Sequence, residues 1–159
     1  MKIKNRNEIA EVAERLRKEG KKIVTCNGAF DILHLGHIKF LEEAKAQGDV
    51  LIVGLNSDSS IKQYKGKDRP VNDQYCRSNL IAALEMVDYV TIFEEADPRA
   101  LLEAIKPDVH CNGIEYGENC IEAETVRKYG GKIHLIKNYK GISTTKIISR
   151  IMDVYGTAK

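Results

Sequence analysis

Ile23-Val24-Thr25-Cys26-Asn27-Gly28-Ala29-Phe30-Asp31-Ile32-Leu33-His34-Leu35-Gly36-His37 begins as a short apolar run rich in β-branched residues, the composition of a buried strand. The run breaks at Asn27-Gly28, where glycine makes a turn inexpensive. An acid and two histidines in the frame His-x-Gly-His follow, and from His37 the pattern becomes helical. A strand that passes through a glycine turn into a helix leaves unpaired backbone N–H groups at one point, which is a natural seat for phosphate.

Outward from this stretch, Ile38, Leu41 and Ala44 recur at helical spacing until Gln47-Gly48-Asp49, and residues 50–55 form a nearly continuous apolar run. Strand, short helix and buried strand make a βαβ unit, the basis of a parallel sheet. Upstream, Ile9, Val12, Ala13 and Leu16 lie on one stripe of a helix over 8–19 that ends at Gly20. Downstream, residues 61–72 lose periodicity and gather Lys62, Lys65, Lys67 and Arg69, the pattern of a basic loop. The pattern then predicts a helix over 73–86, a strand over 89–93 and a helix opened by Asp97-Pro98, with proline at the first helical position. A strand over 108–113, a helix over 122–129, a strand over 132–136 and a last helix capped by Ser143-Thr144-Thr145 complete the chain.

The alternation predicts an α/β fold, a single-domain Rossmann-like doubly wound sheet of about five parallel strands flanked by helices. Residues 1–159 read as one domain, with residues 1–20 as an N-terminal helical extension. Ligands of such sheets bind beyond the carboxyl ends of the strands, where Asn27–His37, Asn56–Asp58, Asn112-Gly113 and Gly141–Thr145 fall. The spacing G-x-G-x-x-G is absent, which argues against a dinucleotide site.

A formal net charge of +2 is too small to argue for nucleic acid, so any electrostatic signal is local. No apolar run approaches the ~18 residues of a membrane span, and the amino terminus lacks the apolar core of a signal peptide. The four cysteines form no C-x-x-C pair, and they are expected to be reduced thiols in a cytoplasmic protein.

His34 and His37 would bring imidazole donors to the mouth of the first strand, and Gly36 would let a ligand approach the backbone. Metal ligation is the rival reading of a histidine pair, with Asp31 the sole further ligand in view. The basic cluster could close over a polyphosphate, with Gly66 allowing movement. Ser143-Thr144-Thr145 is a plain helix cap that could also hold an anion.

Gly28-Ala29-Phe30-Asp31 with His34-Leu35-Gly36-His37 resembles the G-x-F-D…H-x-G-H signature of the cytidylyltransferase-like nucleotidyltransferases, and residues 142–147 resemble their second signature. Asn56-Ser57-Asp58, Lys65-Gly66, the run Arg69–Asn72 and Arg77 are most similar to the heptose 1-phosphate adenylyltransferase domain of lipopolysaccharide-core biosynthesis. The resemblance implies attack by a sugar or polyol phosphate on the α-phosphorus of ATP or CTP, with Mg2+ masking triphosphate charge and pyrophosphate released. It implies catalytic roles for His34, His37, Lys65 and Arg69. Nucleotide contacts would come from Asn27, Gly28, Ala29, Phe30, Gly36, Arg77, Asn112, Gly113, Ser143, Thr144 and Thr145. Acceptor contacts would come from Asn56, Asp58, Glu115, Tyr116 and Asp31, the last orienting either the acceptor or a metal-bound water. ADP-heptose synthesis is the leading expectation. Cytidylyl transfer to glycerol 3-phosphate or another small ester is the alternative, and a nucleotide-binding sensor or assembly subunit is the non-enzymatic one. Related enzymes imply a homodimer. Asn112 and Ile114 stand where the heptose enzymes carry lysine and glycine, and residues 117–124 have no assigned role.

Overall fold

The computed structural model describes residues 1–156. Five parallel strands, β1 (Ile23–Gly28), β2 (Val50–Asn56), β3 (Tyr89–Phe93), β4 (Val109–Gly113) and β5 (Lys132–Ile136), form one sheet in the order β3-β2-β1-β4-β5. The chain moves from β1 through β2 to one edge, then returns to β4 on the other side of β1. The two neighbouring strands β1 and β4 therefore flank the switch point, where an open α/β sheet holds its ligand.

The pleat sends alternate side chains to opposite faces. Val24, Cys26, Leu51, Val53, Leu55 and Val90 pack on one side with Leu41 and Ala44 of α2 (Leu35–Lys45) and Ile81 of α4 (Gln74–Ala82). Ile23, Val50, Ile52 and Phe93 pack on the other with Ile9, Ala13 and Leu16 of α1 (Arg6–Lys18) and Leu101 and Ile105 of α5 (Arg99–Ile105). Helix α1 is thus part of the domain's second layer rather than an appendage, and Ile3 bridges to Val90 ahead of it.

Three local expectations are corrected. Strand β1 runs through Asn27-Gly28, and the break comes at Phe30. Half of the expected basic loop is a helix, α3 (Asp58–Lys65), capped by Ser57, whose hydroxyl accepts from the Ser60 N–H at 3.1 Å. Pro98 caps α5 instead of opening it, while Asp97 accepts from the Arg99 N–H at 3.1 Å. A short 3-10 turn (Ile114–Tyr116) follows β4, α6 (Ala123–Lys128) precedes β5, and α7 (Thr144–Tyr155) ends the described chain. All four cysteines are free thiols, although Cys26 and Cys111 are register partners on β1 and β4. No helix among the described residues is long and apolar enough to cross a membrane.

Candidate functional site

At the exit of β1 the backbone is strained. Phe30 and Ile32 adopt left-handed φ angles of 46° and 50°, a conformation that is unusual for any non-glycine residue and most costly for a β-branched one. Together they turn Asp31 inward until it is 2% exposed. One of its carboxylate oxygens accepts from the Asn72 N–H at 3.0 Å. The other accepts from the Val71 N–H at 2.9 Å and from Arg69 Nε at 3.1 Å. Burial alone would raise its pKa, but the two backbone donors and Arg69 outweigh that and hold the carboxyl below its ordinary value. Asp31 is therefore the anchor of the loop that carries Arg69. The contacts thus give it a structural role, where the sequence suggested contact with the acceptor or a metal-bound water.

His34 is the N-cap of α2, and it provides no side-chain cap. Its carbonyl accepts from the His37 and Ile38 N–H groups, leaving the first N–H groups of the helix facing outward. The His34 and His37 rings stack at 3.7 Å with planes 18° apart. A Cβ on Gly36 would lie 3.0 Å from the His34 ring, so glycine is what admits the stack. Phe30 closes against His37 edge-on at 5.3 Å. In both imidazoles Nδ1 is buried without a partner. Burial lowers both pKa values, and for His37 the neighbouring His34 and Lys65 help bring it to about 4. Stacked planes point their lone pairs side by side instead of at one ion. Among the described residues no three metal-ligating side chains come together. The pair thus presents neutral hydrogen-bonding rings.

Helix α7 brings a second N-terminus to the same place. Ser143 caps it through the Lys146 N–H at 3.2 Å, and Thr144 Oγ1 donates to the Asp31 carbonyl at 2.7 Å, tying α7 to the β1 exit. His34, Gly36, His37, Lys65, Arg69 and residues 143–146 all line one open cavity of about 490 Å³. Two helix N-termini, each with roughly half a positive charge, and the side chains of Lys65, Arg69 and Lys146 make this a polyanion site. Lys146 lies inside the 142–147 signature without an expected role of its own, because a lysine in the first turn of a helix looks like ordinary surface. Glu115 is at the far end, accepting from Asn138 Nδ2 at 2.9 Å.

The cavity continues past Asn27, Gly28, Ala29, Phe30, Asn112, Gly113 and Tyr116 over the β1–β4 switch point. It then reaches a third space of about 360 Å³ lined by Asn27, Asn56, Asn112, Tyr64, Tyr116 and Glu122. Lys65 borders all three spaces. Its side chain is exposed, yet crowding by the protein and the neighbouring Arg69 lower its pKa, and it joins no ion pair among the described residues.

Two expected residues are placed elsewhere. Arg77 is fully buried and spends its guanidinium on the Ala29 carbonyl at 2.6 Å, the Asn72 carbonyl at 3.0 Å and Asp58 at 2.6 Å. It cannot also neutralise phosphate, and Asp58 is its counter-ion instead of an acceptor contact. The pair stitches α3 and α4 to the β1 exit, holding the frame of the site. Lys62 and Lys67 are exposed and line none of the three spaces.

A polyanion cavity built from two helix N-termini and a neutral imidazole pair, open at Lys65 to a second compartment at the switch point, is the site of a nucleotide-binding domain with room for a second ligand. The chain belongs to the cytidylyltransferase-like family, whose model matches residues 25–150, and it is a nucleotidyltransferase. It is similar to the bifunctional protein HldE of Geobacter metallireducens, 46% identical over 156 residues that make up 98% of this chain and 32% of that protein. It is likewise similar to the bifunctional protein HldE of Nitratiruptor sp., 48% identical over 149 residues that make up 94% of this chain and 32% of that protein. The chain thus spans about a third of the length of these relatives. A lipopolysaccharide core biosynthesis protein of Thermoplasma volcanium superposes with a TM-score of 0.62 at 35% identity, covering 77% of this chain and all of its own. Pantoate-beta-alanine ligase of Francisella tularensis shares the fold at a TM-score of 0.62 and 18% identity, covering 96% of this chain and 78% of its own.

Proposed function

We propose that this domain transfers a nucleoside monophosphate from a nucleoside triphosphate to a sugar phosphate, and that the pair is ATP and heptose 1-phosphate, giving ADP-heptose and pyrophosphate. The observation that carries the reading is the junction at Lys65, where a polyanion cavity meets a second compartment rich in amides. The identity with the HldE proteins and the motif resemblance to heptose 1-phosphate adenylyltransferases support the choice of substrates.

The acceptor phosphate is already ionised, so no general base is needed. Its oxygen attacks the α-phosphorus, the bond to the bridging oxygen breaks, and pyrophosphate leaves with that electron pair. The work of the protein is positioning and charge stabilisation. The helix N-termini, Ser143, Thr144 and Thr145 would hold the triphosphate. His34 and His37 would donate to the phosphates as charge moves onto the leaving group, and a bound polyanion would offset the part of the His37 shift that Lys65 adds to burial. Lys65, between the two compartments, would screen the repulsion between acceptor and α-phosphate.

The donor set does not fit a protein-held Mg2+, since both Asp31 oxygens serve the loop. Mg2+ would therefore enter as part of the substrate, bound to the triphosphate. The setting we propose is the cytoplasm. A homodimer is supported by α7, none of whose residues is buried and on which Ile151, Met152, Val154 and Tyr155 are exposed.

Pyrophosphate release should be measured with each of four nucleoside triphosphates against heptose 1-phosphate and glycerol 3-phosphate. Release with ATP and the heptose ester alone is the expected result. Release with CTP alone would overturn the adenylyl assignment, and none with any pair would overturn the transfer reading.

A further inference from the structure

Residues 117–122 bring Glu122 into the wall of the third space, where it is 5% exposed. No Lys or Arg pairs with it among the described residues. One oxygen receives a long hydrogen bond of 3.3 Å from Asn112 Nδ2, and the half-buried Cys120 thiol lies beside the two. A buried carboxylate without a cation is costly unless donors reach it. As the N-cap of α6 its side chain makes no capping bond, so local helix structure does not explain it either.

The surroundings say what kind of donor is missing. Asn27 and Asn112 directly follow the paired Cys26 and Cys111, and by the pleat both face the same side of the sheet as Thr25 and His110. Asn56, two residues beyond the Gly54 that pairs with Asn27, faces that side too. Three adjacent strands therefore end in amides on one face. Asn27 Oδ1 is buried with no partner, Asn112 Oδ1 accepts from the Gly113 N–H at 3.1 Å, and Asn56 Nδ2 donates to Ser60 at 3.1 Å. Amides both donate and accept, whereas a carboxylate only accepts. A ligand carrying several hydroxyls satisfies such a set, because every hydroxyl can give one bond and receive others.

We infer that Glu122, held by Asn112, is a specificity-determining residue that accepts hydroxyl protons from the polyol portion of the acceptor. The compartment then carries a cation at Lys65 and a carboxylate at Glu122, with the amides between them. The acceptor phosphate lies at Lys65, next to the polyanion cavity, and the carbon chain extends away so that its hydroxyls meet Asn27, Asn56, Asn112 and Glu122. The negative charge of Glu122 repels a phosphate from that end and so fixes the direction of binding. Tyr64 and Tyr116 beside a carboxylate could also cage an ammonium group, but the three amides favour hydroxyls. This assignment rests on the transfer reading above.

The test compares the wild-type protein with Glu122→Gln and Glu122→Asp. At saturating ATP, Glu122→Gln should raise KM for heptose 1-phosphate by about tenfold or more, the scale of one charge-assisted hydrogen bond. Most of the loss should fall in KM, with the KM for ATP held, and Glu122→Asp should recover part of it. Saturation-transfer NMR of heptose 1-phosphate gives the same comparison without turnover. Loss of the sugar-proton signal in Glu122→Gln supports the assignment even if no nucleotide is transferred. An acceptor KM and NMR signal that do not change in a folded Glu122→Gln would overturn it, and so would equal weakening towards ATP. Preference of the wild type for ethanolamine phosphate over both hydroxylated esters would overturn the hydroxyl reading in favour of the ammonium one. Absence of pyrophosphate with an intact, Glu122-dependent NMR signal would instead count against the transfer reading alone.

Discussion

Replacing Asp31 with asparagine keeps the shape of the side chain and removes its charge. The carboxylate gathers the Val71 N–H, the Asn72 N–H and Arg69 Nε at 2.9, 3.0 and 3.1 Å. An asparagine can accept with one oxygen but must turn an NH2 group towards donors on the other side. At least one bond is lost and one replaced by an unfavourable donor–donor contact. A hydrogen bond to a charged group contributes about 1.5–3 kcal/mol, so the native position of the 69–72 segment should weaken by about 3 kcal/mol. Since that segment is at the surface, part of the loss should appear as local opening instead of global unfolding. The expected result is faster amide exchange at Val71 and Asn72, a KM for ATP raised about tenfold or more, and a smaller drop in the denaturation midpoint. The site also predicts a pH trend. A carboxyl held below its usual value contributes stability above its unfolded pKa and loses it as pH falls through the lower folded value. The extra exchange in the variant should therefore shrink towards acid pH. Unchanged exchange and an unchanged KM for ATP would refute the anchoring role.

His34→Ala or His37→Ala should each lower turnover by about a hundredfold or more, the scale of one preorganised donor, while calorimetry finds ATP binding weakened far less; lost binding with near-normal turnover at saturation would make the pair a binding device only. Arg77→Lys keeps the charge but leaves the Ala29 and Asn72 carbonyls short of donors, and a buried acceptor left unsatisfied costs about 1–3 kcal/mol; urea titration should show that loss, and full stability with a raised KM for ATP would return Arg77 to the phosphate site. His110 is fully buried beside Thr25, and burial lowers its pKa to about 4. The unfolded chain then binds more protons between pH 6.5 and 4, so stability falls as pH drops through that window. With about 1.4 kcal/mol per pKa unit, its share between pH 7 and 5 is about 2 kcal/mol, a loss that His110→Gln should remove from the urea midpoints. Chelating Mg2+ should abolish turnover and leave the melting temperature of the free protein unchanged.

Much of this could be seen in the chain itself. Continuous β-branched runs betray strands buried on both faces, and the turn residues at their ends mark the crevice. His34, Gly36 and His37 were readable because an unusual residue set coincides with a change of period. Helix α3 was not, because Ile61 is its one buried apolar residue and an eight-residue helix with one such position has no stripe; the cap at Ser57 was the available signal. The structural contacts of Asp31 and Arg77 are not legible for a shared reason. Charged residues near a phosphate site look functional in sequence, and whether their charges face the ligand or each other depends on tertiary geometry. The left-handed turns at Phe30 and Ile32 leave no trace in composition, since residues that ordinarily avoid this conformation adopt it here. Glu122 was silent too, being a charged residue at the start of a short helix until Asn112 is brought against it.

Nucleotidyl transfer by this domain can be followed directly by phosphorus NMR of the wild-type protein with Mg2+, ATP and heptose 1-phosphate. The sugar phosphate resonance should be replaced by the paired doublets of a nucleoside diphosphate sugar, with pyrophosphate appearing in equal amount. Release of inorganic phosphate or ADP without that diphosphate linkage, or spectra identical to those without protein, would contradict it.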